Sequence, residues 1–257
     1  AVLPCSDEVY VSATNTQWHL TLAVAMVLLM PAPARRAALI AELALVAVFA
    51  CTGPGCLLLL PVALLELRRR RGTDGGRYRA GLAGLLAAGA AAQALLLATS
   101  PRVAGAAIPG IWTLAPGEIA QVLSIHAFFE PLLGGYRLDR IHGSFGPVLH
   151  ALGLLALALV AWAALSRRDR PLAVLGYLAL ATVSLSLLFP SNDLRHWLNP
   201  WFGSRYYFYA SLFLAYAAAR LVAARGRRRL LGGVVALPML FLAVPSDFFI
   251  THLSSLP

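Results

Sequence analysis

The chain contains no lysine; all 21 of its basic residues are arginine. Acidic residues are scarce too, 11 in 257, and charged residues make up only 12% of the chain. A soluble domain carries roughly 25%. With 60% hydrophobic residues and a mean hydropathy of +0.75, the composition excludes a string of soluble domains and indicates a membrane protein. Three cysteines, Cys5, Cys51 and Cys56, are too few for a disulfide framework and lack metal-ligand spacing. They read as small apolar filler. No nucleophile motif, Walker loop or dinucleotide glycine fingerprint is present, and the turn at Gly53 lacks the lysine and hydroxyl of a phosphate loop. The net charge of +10 does not point to nucleic acid, because no basic, aromatic-interleaved soluble segment exists to carry it.

What the chain has is apolar runs separated by short arginine clusters. This predicts an all-α, polytopic transmembrane helical bundle, a single integral membrane domain over residues 1–257 in the plasma (inner) membrane. The absence of lysine beside abundant Ala, Leu and Gly suggests a GC-rich bacterial genome. Spans are expected at 17–30, 80–98, 145–165, 171–189, 206–224 and 230–244. No basic segment precedes the first span, so it is not a signal peptide. The start at Ala1, followed by a polar stretch with Asp7 and Glu8, suggests the C-terminal part of a longer protein.

Residues 37–67 are too long for one span of a ~30 Å hydrocarbon core, since 31 residues would reach about 46 Å as a helix. Thr52-Gly53-Pro54-Gly55 lies at the middle, where glycine and proline punctuate helices. Two short helices in a hairpin explain the length; one bent span is the alternative. Arginine parity favours the hairpin, with sixteen arginines inside and five outside, against fourteen and seven for a single span. The total is about eight passes. The segment 118–133, interrupted by Gln121, His126 and Glu130, is the least hydrophobic helix and is expected along the exterior interface or re-entrant. Residues 134–144 read as a polar exterior loop.

On this threading the polar side chains gather outside. Between two apolar runs, residues 190–209 carry Arg195, His196, Asn199, Trp197, Trp201, Arg205 and Tyr206, which suit a headgroup layer and an anion. Arg205 and Tyr206 stand where a loop enters a helix, a ready anion site. Snorkelling beside an aromatic belt is the plainer account. Gln17 and His19 open the first span, as cavity donors or as part of an anchored helix start. His126 and Glu130 share a helix face at i, i+4. Metal ligands use that spacing, but no further ligand is in register, and no metal is assigned. Glu130 beside lipid is a candidate general base. Arg137, Asp139, Arg140 and His142 form either an internal ion-pair cluster or a phosphate clamp.

The chain resembles bacterial multi-pass proteins of the GT-C glycosyltransferase-like type. The likeness rests on the entry Asn15, Gln17, Trp18, the turn Thr52, Gly53, Pro54, and the entry Arg205, Tyr206, Tyr207. The resemblance implies exterior-face glycosyl transfer from a polyprenyl-phosphate-linked sugar, with membrane lipid as the other partner. Such enzymes place an essential acid in the first exterior loop. By this resemblance that segment would lie upstream of Ala1 and Asp7 and Glu8 would be its remnant, although no Asp-x-Asp or Asp-Asp pair is present. The expected roles are Glu130 or Asp139 as the catalytic base. Arg195, His196, Arg205, Tyr206, Gln17, His19, Arg140 and His142 would bind substrate. No cofactor is assigned. The alternatives are a transporter or flippase of a lipid-linked or small anionic substrate, using Glu42, Gln93 and the break at Gly53 and Pro54, and a non-catalytic cell-envelope scaffold.

Overall fold

The computed structural model describes residues 16–52, 55–70, 75–99, 114–165, 169–188, 198, 207–224 and 226–243. Among them every regular element is helical and none is a strand. They fall into two compact units, residues 16–99 and residues 114–243, each taken by itself below.

The first unit is an up-down four-helix bundle: α1 (Thr16–Leu29), α2 (Arg36–Thr52), α3 (Gly55–Arg69) and α4 (Gly76–Thr99). Residues 37–67 form a hairpin. At one end, a Cβ on Gly55 would sit 2.6 Å from Thr21 Oγ1 and 2.7 Å from the Phe49 ring, so the start of α3 meets the end of α2 beside α1. At the other end Arg79 of α4 reaches the last carbonyls of α1, and its charged neighbours are Arg70, Glu66 and Glu42. Helices α2 and α4 therefore run parallel, with α1 and α3 antiparallel to both. The pairs α2–α3 and α1–α4 lie across the diagonals of the bundle. The arms of 17 and 15 residues reach about 26 and 22 Å.

Polar groups in this unit hold helix ends. The last four carbonyls of a helix have no partner within it. Arg79, 1% exposed, donates to the carbonyls of Val27 (3.0 Å), Leu28 (2.6 Å) and Met30, closing the end of α1 with a cation where the helix dipole is negative. Glu66, also buried, pairs with Arg69 (3.2 Å) and Arg70 (3.5 Å), one turn away on the same face. Tyr78 donates its hydroxyl to Glu42, tying α4 to α2. Residues 76–96 of α4 form the one helix among those described that is long and apolar enough to cross a membrane; 33% of its apolar window is buried.

The second unit starts with α5, a helix over residues 116–133. Its first part (Pro116–Ser124) passes through a π-helical turn (Ile125–Phe129) into Glu130–Leu133. The Ala115 N–H donates to Glu118 Oε2 (2.7 Å), which caps the start. Gly134, at φ 80°, ends the helix. Then follow α6 (Gly135–Ile141) with a 3-10 turn (His142–Ser144), α7 (Pro147–Leu165), α8 (Arg170–Leu188), α9 (Phe208–Val222) and α10 (Arg227–Pro238), the last extended by a π-helical turn (Met239–Ala243). Helix α9 is central, packed against α7, α8 and α10.

Two expectations change here. The segment 134–144 is helical rather than a loop. Leu138 is fully buried and anchors it, which the surrounding charged residues hide from a reading of polarity. The second part of α5 is also enclosed rather than laid on a surface, while residues 115–121 are exposed or half-buried. Residues 124–132 are buried on every side, whereas an interfacial helix keeps one polar face open. The re-entrant alternative remains.

Apolar side chains also line the outside. On α7, Val148, Leu152, Leu155, Leu159 and Trp162 are 50–72% exposed. On α10 and its extension, Leu230, Val234, Leu237 and Phe241 are 56–72% exposed. Steps of three and four place each set along one helix face. Single exposed apolar residues are ordinary, but whole stripes are not.

Candidate functional site

The π-helical turn determines which side chains meet. One extra residue in the turn widens it, and the Glu130 N–H bonds to the Ile125 carbonyl five residues back. Helix α7 comes close to this turn because residue 153 is glycine. A Cβ there would lie 2.7 Å from the Phe129 ring. The start of α9 arrives on another side, bringing Tyr207.

Two polar pairs result. Glu130 Oε2 lies 2.5 Å from His126 Nδ1, and the two residues are 3% and 0% exposed. The Tyr207 ring stacks on the His126 ring, centroids 4.7 Å apart at 21°. A carboxylate that accepts from Nδ1–H holds an imidazole in the tautomer whose Nε2 is the basic end. The expected base, Glu130, thus comes with an orienting partnership to His126.

In the second pair Ser124 Oγ lies 2.6 Å from His150 Nδ1, both residues buried. The Ser124 hydroxyl donates to the Gln121 carbonyl at 3.0 Å, so its oxygen accepts from His150 Nδ1–H. His150 Nε2 has no hydrogen-bond partner among the described residues, although the Phe145 carbonyl is close by. Phe129 and Phe145 enclose the ring, with centroids 6.5 and 5.9 Å from it.

Both pairs lie at one end of the unit, where α7 and α9 begin and where Met239–Ala243 meets Glu130–Leu133. Arg220 near the end of α9 pairs with Asp169 before α8 at 2.7 Å and marks the opposite end. Arg220 and the Arg227–Arg229 run at the start of α10 are thus separated from the buried imidazoles along the helix axes.

Arg140 is exposed on α6, and His142 Nδ1–H donates to the Leu138 carbonyl at 3.2 Å. Residues 137–142 therefore lie on α6 and the start of its 3-10 turn rather than in a loop. Asp139 lies on α6, with its side chain outside the described residues, as are Arg195, His196, Arg205 and Tyr206. Gln17 and His19 belong to the first unit; both are half-buried, and the Gln17 carbonyl accepts from the Thr21 hydroxyl at 2.7 Å. Of the transporter candidates, Glu42 is bound to Tyr78 and Gln93 is half-buried on α4. Gly53 and Pro54 are outside the described residues, and the helices on either side of them form a hairpin rather than a span broken at midplane.

His150 and Ser124 were not anticipated, and Tyr207 was expected only as part of the helix entry at 205–207, not against His126. The signal for His150 was available: an imidazole inside the apolar run 145–165 is costly in lipid and marks a functional position. Among the described residues no three of His, Cys, Asp and Glu converge.

No protein-family model matches the chain, and no curated protein or solved structure matches it. The glycosyltransferase likeness rests on the short motifs quoted above.

Proposed function

We propose that the chain is a multi-pass inner-membrane protein of about eight passes that takes part in glycosyl transfer from a lipid-linked sugar at the exterior face. Membrane placement is supported by the exposed apolar stripes on α7 and α10, since water would not tolerate them, and by α4, whose apolar window is only 33% buried. A core helix of a soluble protein would be mostly covered. The exterior assignment follows Arg220 and the Arg227–Arg229 run, which lie at the end away from the two histidine pairs.

The observation that carries the functional reading is the Glu130–His126 contact at 2.5 Å beneath Tyr207. In this reading the oriented imidazole, backed by the carboxylate, removes the proton of an acceptor hydroxyl as the sugar is transferred. Arg195 and Arg205 hold the departing lipid phosphate, to which guanidinium forks are matched. The test is product formation from a polyprenyl-phosphate sugar in membrane vesicles. Glu130→Gln is expected to abolish it while the protein inserts at normal levels; full activity of this variant would refute the assignment.

The burial of the same pair favours a second reading, a carrier that moves a proton with a small anionic substrate. Intramembrane ionisable pairs serve as proton relays. Proton flux into vesicles loaded with the protein, lost in Glu130→Gln and independent of any sugar donor, selects it.

A further inference from the structure

The first unit carries an open groove between α2 and α4, of about 640 Å³. Small residues line it, Ala44 and Ala47 on one wall and Gly81, Gly84 and Ala88 on the other, together with Ile40, Leu43 and Leu85. At Gly84 a Cβ would meet nothing within 4 Å, so the space is open above the backbone. Almost all of the lining is apolar.

Small residues alone would name no occupant. The charges at one end do. Arg36 precedes the groove residue Ile40 by four positions, and Arg77 precedes Gly81 by four. Residues four apart share a helix face. Because α2 and α4 are parallel, both arginines stand one turn before the same end of the groove, one on each helix. Both residues are exposed, and neither has a hydrogen bond or ion pair among the described residues. The nearest acid on these walls, Glu42, is bound to the Tyr78 hydroxyl.

We infer that this groove holds one hydrocarbon chain of an anionic, phosphate-headed membrane lipid, with its phosphate between Arg36 and Arg77. The apolar lining receives the chain and the two forks receive the oxygens. Arginine clusters at the cytoplasmic leaflet draw anionic lipid in the same way. A docked helix would suit the small residues, but a purely apolar one would leave two like charges unanswered at the mouth.

The inference rests on the membrane placement proposed above and is independent of glycosyl transfer. The test uses the whole chain reconstituted in nanodiscs of phosphatidylcholine with a minor fraction of phosphatidylglycerol, then released for native mass spectrometry. The wild type is expected to retain one phosphatidylglycerol. Gly84→Trp, which fills the groove, is expected to reduce that retention about tenfold, equivalent to ~1.4 kcal/mol. Arg36→Gln with Arg77→Gln, two exposed changes that leave packing alone, is expected to retain both lipids without preference. Unchanged phosphatidylglycerol retention in Gly84→Trp, or unchanged preference in the double variant, overturns the inference. So does disulfide crosslinking of Gly84→Cys between copies in native membranes, which would give the groove to a second chain. A protein stripped from membranes by alkaline carbonate fails the membrane placement as well, whereas an integral protein that retains no lipid fails this inference alone.

Discussion

In the first unit Arg79 is buried against three carbonyls at the end of α1, and Glu66 is buried against two arginines one turn away. In the second, Glu130 is buried against one imidazole midway along a helix, and a second imidazole is held by a serine hydroxyl. Both units thus bury ionisable groups, a costly act in either case. In the first, Arg79 completes backbone hydrogen bonding that the helix leaves open and Glu66 pairs with arginines of its own helix end, which are structural uses. In the second, Glu130 meets an imidazole and His150 meets a serine hydroxyl, and the backbone around them is irregular. π-helical turns are frequent at functional sites, and the His126–Glu130 contact is set in one.

That contrast can be broken experimentally. Arg79→Met should have the largest effect, about 3 kcal/mol or more, because it leaves buried carbonyls without donors. The loss should appear as a lower unfolding midpoint in denaturing detergent, with transfer activity per folded molecule unchanged. Glu130→Gln should do the reverse. Its activity should fall by ~100-fold or more, the range for removing an acid–base group, and its melting should shift little. If Glu130→Gln instead unfolds the protein as Arg79→Met does, the two units bury charge for the same purpose.

Gly153→Ala should come next. The added methyl meets the Phe129 ring at 2.7 Å, and overpacking costs about 1–3 kcal/mol. Because the strain falls on the π-helical turn, activity and stability should decline together, read from paired assays on one preparation. Ser124→Ala should have the smallest effect, about 1 kcal/mol from a single buried hydrogen bond. Its informative readout is the His150 imidazole NMR signal, which should change tautomer distribution once the serine oxygen no longer accepts from Nδ1–H.

Much of the architecture was legible beforehand, for physical reasons. Apolar runs bounded by arginine, proline and glycine locate helices closely, as the runs at 17–30 and 171–189 show against Thr16–Leu29 and Arg170–Leu188. The hairpin at residues 37–67 followed from length and from where arginines are tolerated. The site was legible only where its members are near in sequence. His126 and Glu130 share a helix face and were expected together. Tyr207 and His150 reach the same region through tertiary packing over 81 and 26 positions, and no periodicity in one chain encodes such meetings. Residues 134–144 were misread because one buried leucine counts for more in folding than the four charged or polar neighbours that dominate the composition.

The widened turn at Ile125–Phe129 also bears on how this chain can vary in length. It stores one residue more than a regular helix needs, so losing a residue there would shorten α5 without removing a helical hydrogen bond. Everything before the deletion would swing by roughly 100° around the helix axis. Ser124 would turn away from His150 while His126 and Glu130 stayed neighbours. A one-codon deletion at this point is therefore a mutation the fold would absorb and the chemistry would register.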